Sequence, residues 1–323
     1  KNEIKSKISE TVSETYIAKE TNVSVHTVRR IIDDTARLLT IKPLHDLPEH
    51  LCFDEFKSVK SSDSNMSFII CDSTTHKLVD VVRDRKSYSL KKYFHRFEPK
   101  TRLKVKTISI DMYLPYIQLI KEMFPNAKII IDPFHIVQAL NRELNRTRVR
   151  VMNKHRYKDP KLYRKLKHYW KLILKNPNEL QNYKYNRYKL FESFITSKGI
   201  VDYILENNPS LKNDYEVVHS LRECIQDRDY IEFKETIEAA TQLDLSPGLK
   251  RVLKTLITYL PYIQNTCEHP TRTNGPIEGI NNKIKVLKRN AYGFRNYYHF
   301  RNRIILITKM FGPKQKGIKQ QLV

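Results

Sequence analysis

The chain has 323 residues, enough for two or three domains with a substantial core, and carries 59 Lys and Arg against 35 Asp and Glu, a formal net charge of +24. A field of that strength calls for a polyanion, nucleic acid first, and argues against a membrane or a small-molecule substrate. There is no signal peptide and no apolar run of about 18 residues, and the four scattered cysteines (Cys52, Cys71, Cys224, Cys267) suit a reducing cytoplasm rather than a disulfide framework or a structural zinc.

Residues 1–50 hold eight basic and eight acidic side chains, so the whole excess lies beyond them. Within residues 1–40, Ile17 and Ala18 precede a break at Asn22-Val23-Ser24. After it Val25, Val28, Ile31 and Ile32 recur at helical spacing. Ser24 is placed to cap the second helix, and Asn22 tolerates a left-handed turn. The pattern predicts a helix-turn-helix whose recognition helix, 24–34, turns His26, Thr27, Arg29 and Arg30 toward DNA. The alternative is a plain helical hairpin, which the neutral charge favours. Residues 41–50, with Pro43 and Pro48, read as a linker.

From 51 to 135 short β-branched and aromatic runs predict strands: HLCFDEF, MSFIICD, KLVDVVRD, VKTISID and AKIIID. SYSLKKYFHRF and LPYIQLIKEMF, the latter with Pro115 in its first turn, predict helices. Three strands followed by strand–helix–strand describe an α/β mixed sheet flanked by helices. From 136 to 266 only helical patterns appear. Between His135 and Lys175 stand thirteen Lys and Arg against Glu143 and Asp159. Arg142, Arg146, Arg148 and Arg150 are candidates there for phosphate contact, and Trp170 either packs or wedges against a base.

Within residues 267–323, PIEGINNKIKVLKRN (276–290) predicts a helix with Ile277, Ile280, Ile284 and Leu287 on one face and Glu278 in its first turn. Glu278 is the last acid of the chain, and eleven Lys and Arg follow it. Lys283, Lys285, Lys288, Arg289, Arg295 and Arg301 would neutralise phosphates without reading sequence. The rings of YGFRNYYHF either stack on bases or, for Phe294, Tyr297 and Phe300, join the core.

Asp54 lies inside the first strand and Asp111 ends the fourth, where open α/β sheets gather ligands. With Glu278 they make three hard oxygen donors, the kind that hold a pair of Mg²⁺ ions for phosphodiester chemistry. Each acid has a plainer reading: Asp111 as a helix cap, Asp54 beside Glu55 on a solvated strand edge, Glu278 favoured by the helix dipole.

The order of these elements resembles the RNase H-like core of DDE transposases and retroviral integrases. HLCFDEF (50–56), ISIDMYLPYIQLIKEMFPNAKIIIDPFHIVQALNRELNRTR (108–148) and TNGPIEGINNKIKVLKRNAYGFRNYYHFRNRIIL (273–306) resemble the ISL-three family of insertion-sequence transposases. The resemblance implies Asp54, Asp111 and Glu278 as catalytic and metal ligands for two Mg²⁺ or Mn²⁺ ions. It draws attention also to Asp132 and His135 of DPFH: Asp132 rivals Asp111 for the second position, and His135 either approaches the scissile phosphate or packs a junction. It further implies an all-helical insertion at 136–266, double-stranded DNA as partner (terminal inverted repeats and target) and a homodimer on DNA. Family members carry an N-terminal zinc-binding segment not seen here, and the chain begins with Lys rather than Met, so a preceding segment is expected. The alternatives are a structure-specific nuclease on the same fold and a DNA-binding protein that no longer cuts.

Overall fold

The computed structural model describes residues 2–40, 46–59, 61 and 65–311, and in it the first strand is buried on both faces from Leu51 to Phe53. That is the mark of a strand at the centre of a sheet with helices above and below. Three helices precede it, α1 (Asn2–Lys7), α2 (Glu14–Glu20) and α3 (Val25–Thr40). There follow β1 (His50–Lys57), β2 (Met66–Asp72), β3 (Leu78–Val82), α4 (Ser87–Phe94), α5 (Pro99–Leu103), β4 (Thr107–Ile110), α6 (Leu114–Met123) and β5 (Lys128–Ile131). A second stretch holds α7 (Pro133–Lys158), α8 (Pro160–His168), α9 (Trp170–Leu174), β6 (Asn186–Arg187), β7 (Phe194–Ile195), α10 (Ser197–Glu206), α11 (Pro209–Asp227), α12 (Tyr230–Ala240) and α13 (Pro247–Glu268). The described chain closes with α14 (Gly275–Asn290) and α15 (Tyr297–Ile307). Two compact units result, Lys1–Asp132 with Thr271–Val323, and Pro133–Pro270. Half of the proposed linker (41–45) and the tail cations Lys314, Lys316 and Lys319 lie outside the described residues. His50, placed in the linker by the sequence, opens β1 and bonds Thr107 Oγ1 at 2.8 Å.

In the first unit the strand order is β3-β2-β1-β4-β5, with β1 antiparallel to β2 and parallel to β4, and β4 parallel to β5. One face is an aromatic cluster in which the Phe53 ring meets Phe68 at 5.1 Å and Phe94 meets Phe124 at 4.9 Å, under α4 and α6. The other buries Cys52, Phe56, Ile69 and Cys71 against Ile277, Ile280, Ile284 and Leu287 of α14 and Phe300 and Ile304 of α15. The apolar stripe read from the sequence is therefore the surface that seats α14 on the sheet.

The turn between α2 and α3 follows its local chemistry. Asn22 takes φ 52°, and Ser24 Oγ accepts the Thr27 amide at 3.1 Å. Ile4, Ile17, Val28 and Ile32 form a small core of their own that reaches Leu306 of α15. Arg303 of α15 has no exposed surface, and its guanidinium donates to the carbonyls of Ile8 (2.6 Å), Glu10 (2.9 Å) and Val12 (2.8 Å). Burial lowers its pKa to about 10, which leaves it protonated at neutral pH.

Beside it Glu14 of α2 is bound by His299 and by Arg29 Nε at 3.0 Å. Burial alone would raise the Glu14 pKa, but the bonds and charge of His299 and Arg29 win and hold it below 4.5. A carboxylate depressed on folding stabilises above its unfolded pKa, and that stability is lost as pH falls through the folded value. Stability of this junction should hence fall as the pH drops below about 4.5, and Glu14→Gln should flatten the fall. Acid titration followed by near-ultraviolet circular dichroism checks it: equal acid sensitivity in the two proteins would contradict it.

In the second unit Asp214 of α11, fully buried, accepts Thr147 Oγ1 of α7 at 2.7 Å and the amide of Ser246, the cap of α13, at 2.9 Å. A buried carboxylate satisfied from two other helices fixes their register. At Gly248 a Cβ would lie 2.2 Å from Glu143 Oε2, so this acid of the basic block is a packing residue. The expectation of helices alone is corrected: β6 and β7 pair antiparallel, Asn186 with Ile195 and Arg187 with Phe194. Strands of two residues are too short to leave an alternation in sequence.

Candidate active site

The sheet fixes the neighbours of the two aspartates. Cys52 pairs with Ser109 and Ile110 with Ile131, both in parallel. Carried two residues and one residue further, this register puts Asp54, Asp111 and Asp132 in one row across β1, β4 and β5, on the face that α14 covers. Asp132 extends the pairing by donating its amide to the Ile110 carbonyl at 2.9 Å. Cys52 lies one step down the same face: burial, and then the negative charges of Asp72, Asp54 and Asp132, push its thiol far above the usual range. Acids thus accumulate where the parallel strands end.

Two of the plainer readings fail. The N-cap of α6 is Tyr113, not Asp111. Glu55 is no solvated edge residue, since it is half-buried between Arg85 Nη1 at 2.6 Å and the Tyr116 hydroxyl at 2.5 Å, on the face opposite Asp54.

Helix α14 supplies the other half of the site. Asn274, just before the helix and 6% exposed, donates Nδ2 to the Phe53 carbonyl (3.2 Å) and to Asp111 Oδ1 (3.3 Å). Asn281, two turns on, donates Nδ2 to Asp54 Oδ2 at 2.7 Å. Positions 274, 278 and 281 stand at i, i+4 and i+7, one face of a helix. Glu278, itself exposed, therefore sits on the turn between the two residues that hold the two aspartates. The sequence reading missed both asparagines; their spacing around Glu278 was the available signal.

Among the described residues no three His, Cys, Asp or Glu side chains are gathered closely enough to hold a metal ion outright. The donor set nonetheless suits a hard divalent cation. It is all oxygen, the amides on Asp54 and Asp111 are neutral donors that do not cancel a carboxylate's charge, and Oδ1 of both Asn274 and Asn281 is buried with no hydrogen-bond partner. His135 lies in the first turn of α7, in the second unit, with its ring edge-on to Phe134.

A transposase family model matches residues 51–304, from the start of β1 into α15, and so takes in the aspartates, the helical stretch and α14. The chain belongs to the ISL-three family of DDE transposases. It is 27% identical over 289 residues to the transposase for insertion sequence element IS1001 of Bordetella parapertussis, covering 88% of this chain and 67% of that protein. It is also 36% identical over 130 residues to a Lactococcus lactis subsp. lactis protein named ATP-dependent protease, a match spanning 40% of either chain. No helix among the described residues is long and apolar enough to cross a membrane.

The cations of this family member divide into free and committed ones. His26 and Arg30 on α3, Arg142, Arg146 and Arg150 on α7, Lys283, Lys285 and Arg289 on α14, and Arg295 are all exposed, although Arg146 Nη1 pairs with Glu143 Oε1 at 2.5 Å and Arg142 donates to Gln138 Oε1 at 3.3 Å. Thr27 is half-buried and tied to Ser24. Two candidates for DNA contact are corrected. Arg148 is 7% exposed and donates to the Leu166 carbonyl at 2.9 Å. Arg301 is locked on Asp80 Oδ1 at 2.6 Å and the Val81 carbonyl at 3.1 Å. Lys288 Nζ is half-committed, donating to the carbonyls of Lys57 (2.8 Å) and Ser58 (3.0 Å) at the end of β1. Arg29 and Arg295 line one cleft of about 550 Å³ with His299 and Asn296. Of the aromatic run, Tyr297 and Phe300 are core and Phe294 packs on them, whereas Tyr292 (99%) and Tyr298 (62%) are exposed.

Proposed function

We propose that the chain is an insertion-sequence transposase that cuts element ends and joins them to target DNA, with Asp54, Asp111 and Glu278 as the catalytic carboxylates. The observation that carries this reading is the pair of bonds that tie Asp54 and Asp111 to the helix of Glu278, through Asn281 and Asn274. The Asn274 bond also favours Asp111 over Asp132 as second member. The lower identity to the Bordetella transposase runs over most of the chain, and the longer reach is the better guide to function. Gly312 and Gly317 stand five apart as in a GxxxxGK nucleotide-binding loop, but Ile318 follows where that loop places its Lys.

Mg²⁺ or Mn²⁺, two ions per site, would be held by Asp54, Asp111 and Glu278, and when bound supplies polarisation of the attacking oxygen and stabilisation of the leaving one. The chain's own side chains do the rest. The asparagines hold the aspartates in place, the sheet keeps the carboxylates in register, and the exposed Lys283, Lys285 and Arg289 grip phosphates along α14. Helix α3 would present His26, Arg29 and Arg30 to a duplex groove, and two chains acting together would serve two ends. The test is joining: a duplex with a recessed terminal 3′-hydroxyl, made from the element's own end, is incubated with supercoiled plasmid and Mn²⁺. Covalent joining supports transposition, whereas cutting without joining would identify a nuclease on the same fold.

Asn281 offers a separate check. Groups that orient metal ligands typically change affinity by about 10–100-fold when removed. Asn281→Ala should weaken Mn²⁺ binding, measured by electron paramagnetic resonance on the protein alone, by about that factor. Unchanged Mn²⁺ affinity would remove Asn281 from the site.

A further inference from the structure

The short ribbon β6–β7 turns the usual pattern of a surface strand inside out. Tyr185, just ahead of β6, stands two residues before Arg187, and Phe194 pairs directly with Arg187. Residues two apart, and directly paired residues, share a face. That face is the solvent side: Tyr185 is 65% and Phe194 67% exposed, and Arg187 is exposed as well. Tyr183, just before it, is 77% exposed. The residues between them are the ones turned inward. Tyr188 and Ile195 are half-buried, the Tyr188 ring lies 6.3 Å from that of Tyr169, and the Tyr169 hydroxyl bonds the Lys189 carbonyl. A single exposed ring needs no explanation, but three on one small ribbon, with a guanidinium among them, is a surface shaped for a partner.

The charge of the surrounding chain says which. Between Arg142 and Lys198 there are 17 Lys and Arg against four acids (Glu143, Asp159, Glu179, Glu192), whereas residues 199–270 hold seven Lys and Arg against twelve Asp and Glu. The ribbon stands in the basic half, flanked by exposed Lys184 and Lys189, and anchored through Tyr169 to the junction of α8 and α9, where Lys167, His168, Trp170 and Lys171 are exposed. Aromatic rings interleaved with cations bind nucleic acid whose bases are free to stack, because every base has a π-face and every nucleotide a phosphate.

We infer that the Tyr185–Arg187–Phe194 face of the ribbon is a stacking platform for unpaired nucleotides of DNA. It rests on the reading of the chain as a DNA-cutting enzyme and adds to it a second contact, remote in sequence from the carboxylates, that distinguishes frayed or single-stranded DNA from intact duplex.

The experiment uses the full chain, a 5′-fluorescein duplex of fixed sequence, and the same duplex bearing a ten-nucleotide dT overhang with 2-aminopurine at its junction. The wild type should bind the tailed form more tightly, and quench or shift the 2-aminopurine signal on binding. Tyr185→Ala/Phe194→Ala should weaken tailed binding by about ten-fold or more and abolish the 2-aminopurine change, since the two rings supply the stacking that holds unpaired bases. Duplex affinity should stay the same. The substituted rings are exposed, so an unchanged melting temperature certifies the variant; Phe194→Trp should retain the preference for the tail. If the wild type binds both DNAs equally, or the double variant keeps the preference, the platform is wrong while DNA binding stands. If the wild type binds neither DNA, the functional reading fails as well. If the variant changes only the sedimentation coefficient, the face joins copies of the chain and the inference is overturned.

Discussion

Replacing Glu278 by Gln is expected to reduce DNA cleavage by about a thousand-fold, because a missing ligand removes several kcal/mol of charge stabilisation in the transition state. The fold should be indifferent. Glu278 is exposed, and its only structural benefit would be a first-turn dipole interaction of about 0.3–1 kcal/mol. The two explanations of this residue therefore predict opposite patterns. A dipole role gives a slight loss of stability and an unchanged rate, whereas a ligand role gives an unchanged melting temperature and no product. Duplex affinity in the absence of divalent ions should be preserved, since the cations of α14 are untouched. Gel-based cleavage rates, melting temperature and anisotropy on one preparation decide the matter. Cleavage by Glu278→Gln within ten-fold of wild type would falsify the catalytic assignment.

Replacing Arg303 by Met should be the most damaging single change for the fold. The side chain has no exposed surface, and one guanidinium satisfies three carbonyls in the loop that follows α1. Met fills much of the volume but donates nothing, so three oxygens lose their partner inside the protein. Breaking a buried charged network typically costs about 3–5 kcal/mol. In a unit of this size that amounts to a fall of roughly 10 °C in melting temperature, at about 2–4 °C per kcal/mol. Arg303→Lys should recover little, because an ammonium cannot reach three divergent carbonyls as a planar fork does. Thermal unfolding of both variants checks the size of the effect. Limited proteolysis should release a fragment containing α1–α3 from them before the sheet is cut. A melting temperature within 2 °C of wild type would show that the carbonyls find other donors.

The contrast between these two residues shows what the sequence could yield. Periodicity and β-branching located the five strands of the sheet, the helices α4 and α6, and the stripe Ile277–Ile280–Ile284–Leu287, because burial of alternating or helically spaced side chains is what those patterns encode. Ser24 and Asn22 were legible for a more local reason: a cap and a left-handed turn involve only neighbours in sequence. Arg303 was not. Read as one more cation of an acid-free tail, it lies inside, because its partners are backbone atoms some 290 residues away. Arg148 and Arg301 escaped likewise, the first bonded to the neighbouring helix α8 and the second to Asp80 of β3, far back in the sequence. In the candidate site the positions of the carboxylates on strand, strand and helix could be anticipated. The asparagines that tie them together share a helix face with Glu278, but that spacing does not say what they bond, which depends on how α14 lies against β1 and β4. The ribbon was hidden twice over, by its length and by having its rings on the wrong side for a surface strand.

Helix α14 performs two jobs on one piece of backbone, with its apolar side clamped to the sheet and Asn274, Glu278 and Asn281 carried on an adjacent side. A rigid rod cannot shift one side and keep the other. A change beneath Ile277 or Ile284 that shifts the rod on the sheet would therefore move Asn274, Glu278 and Asn281 with it.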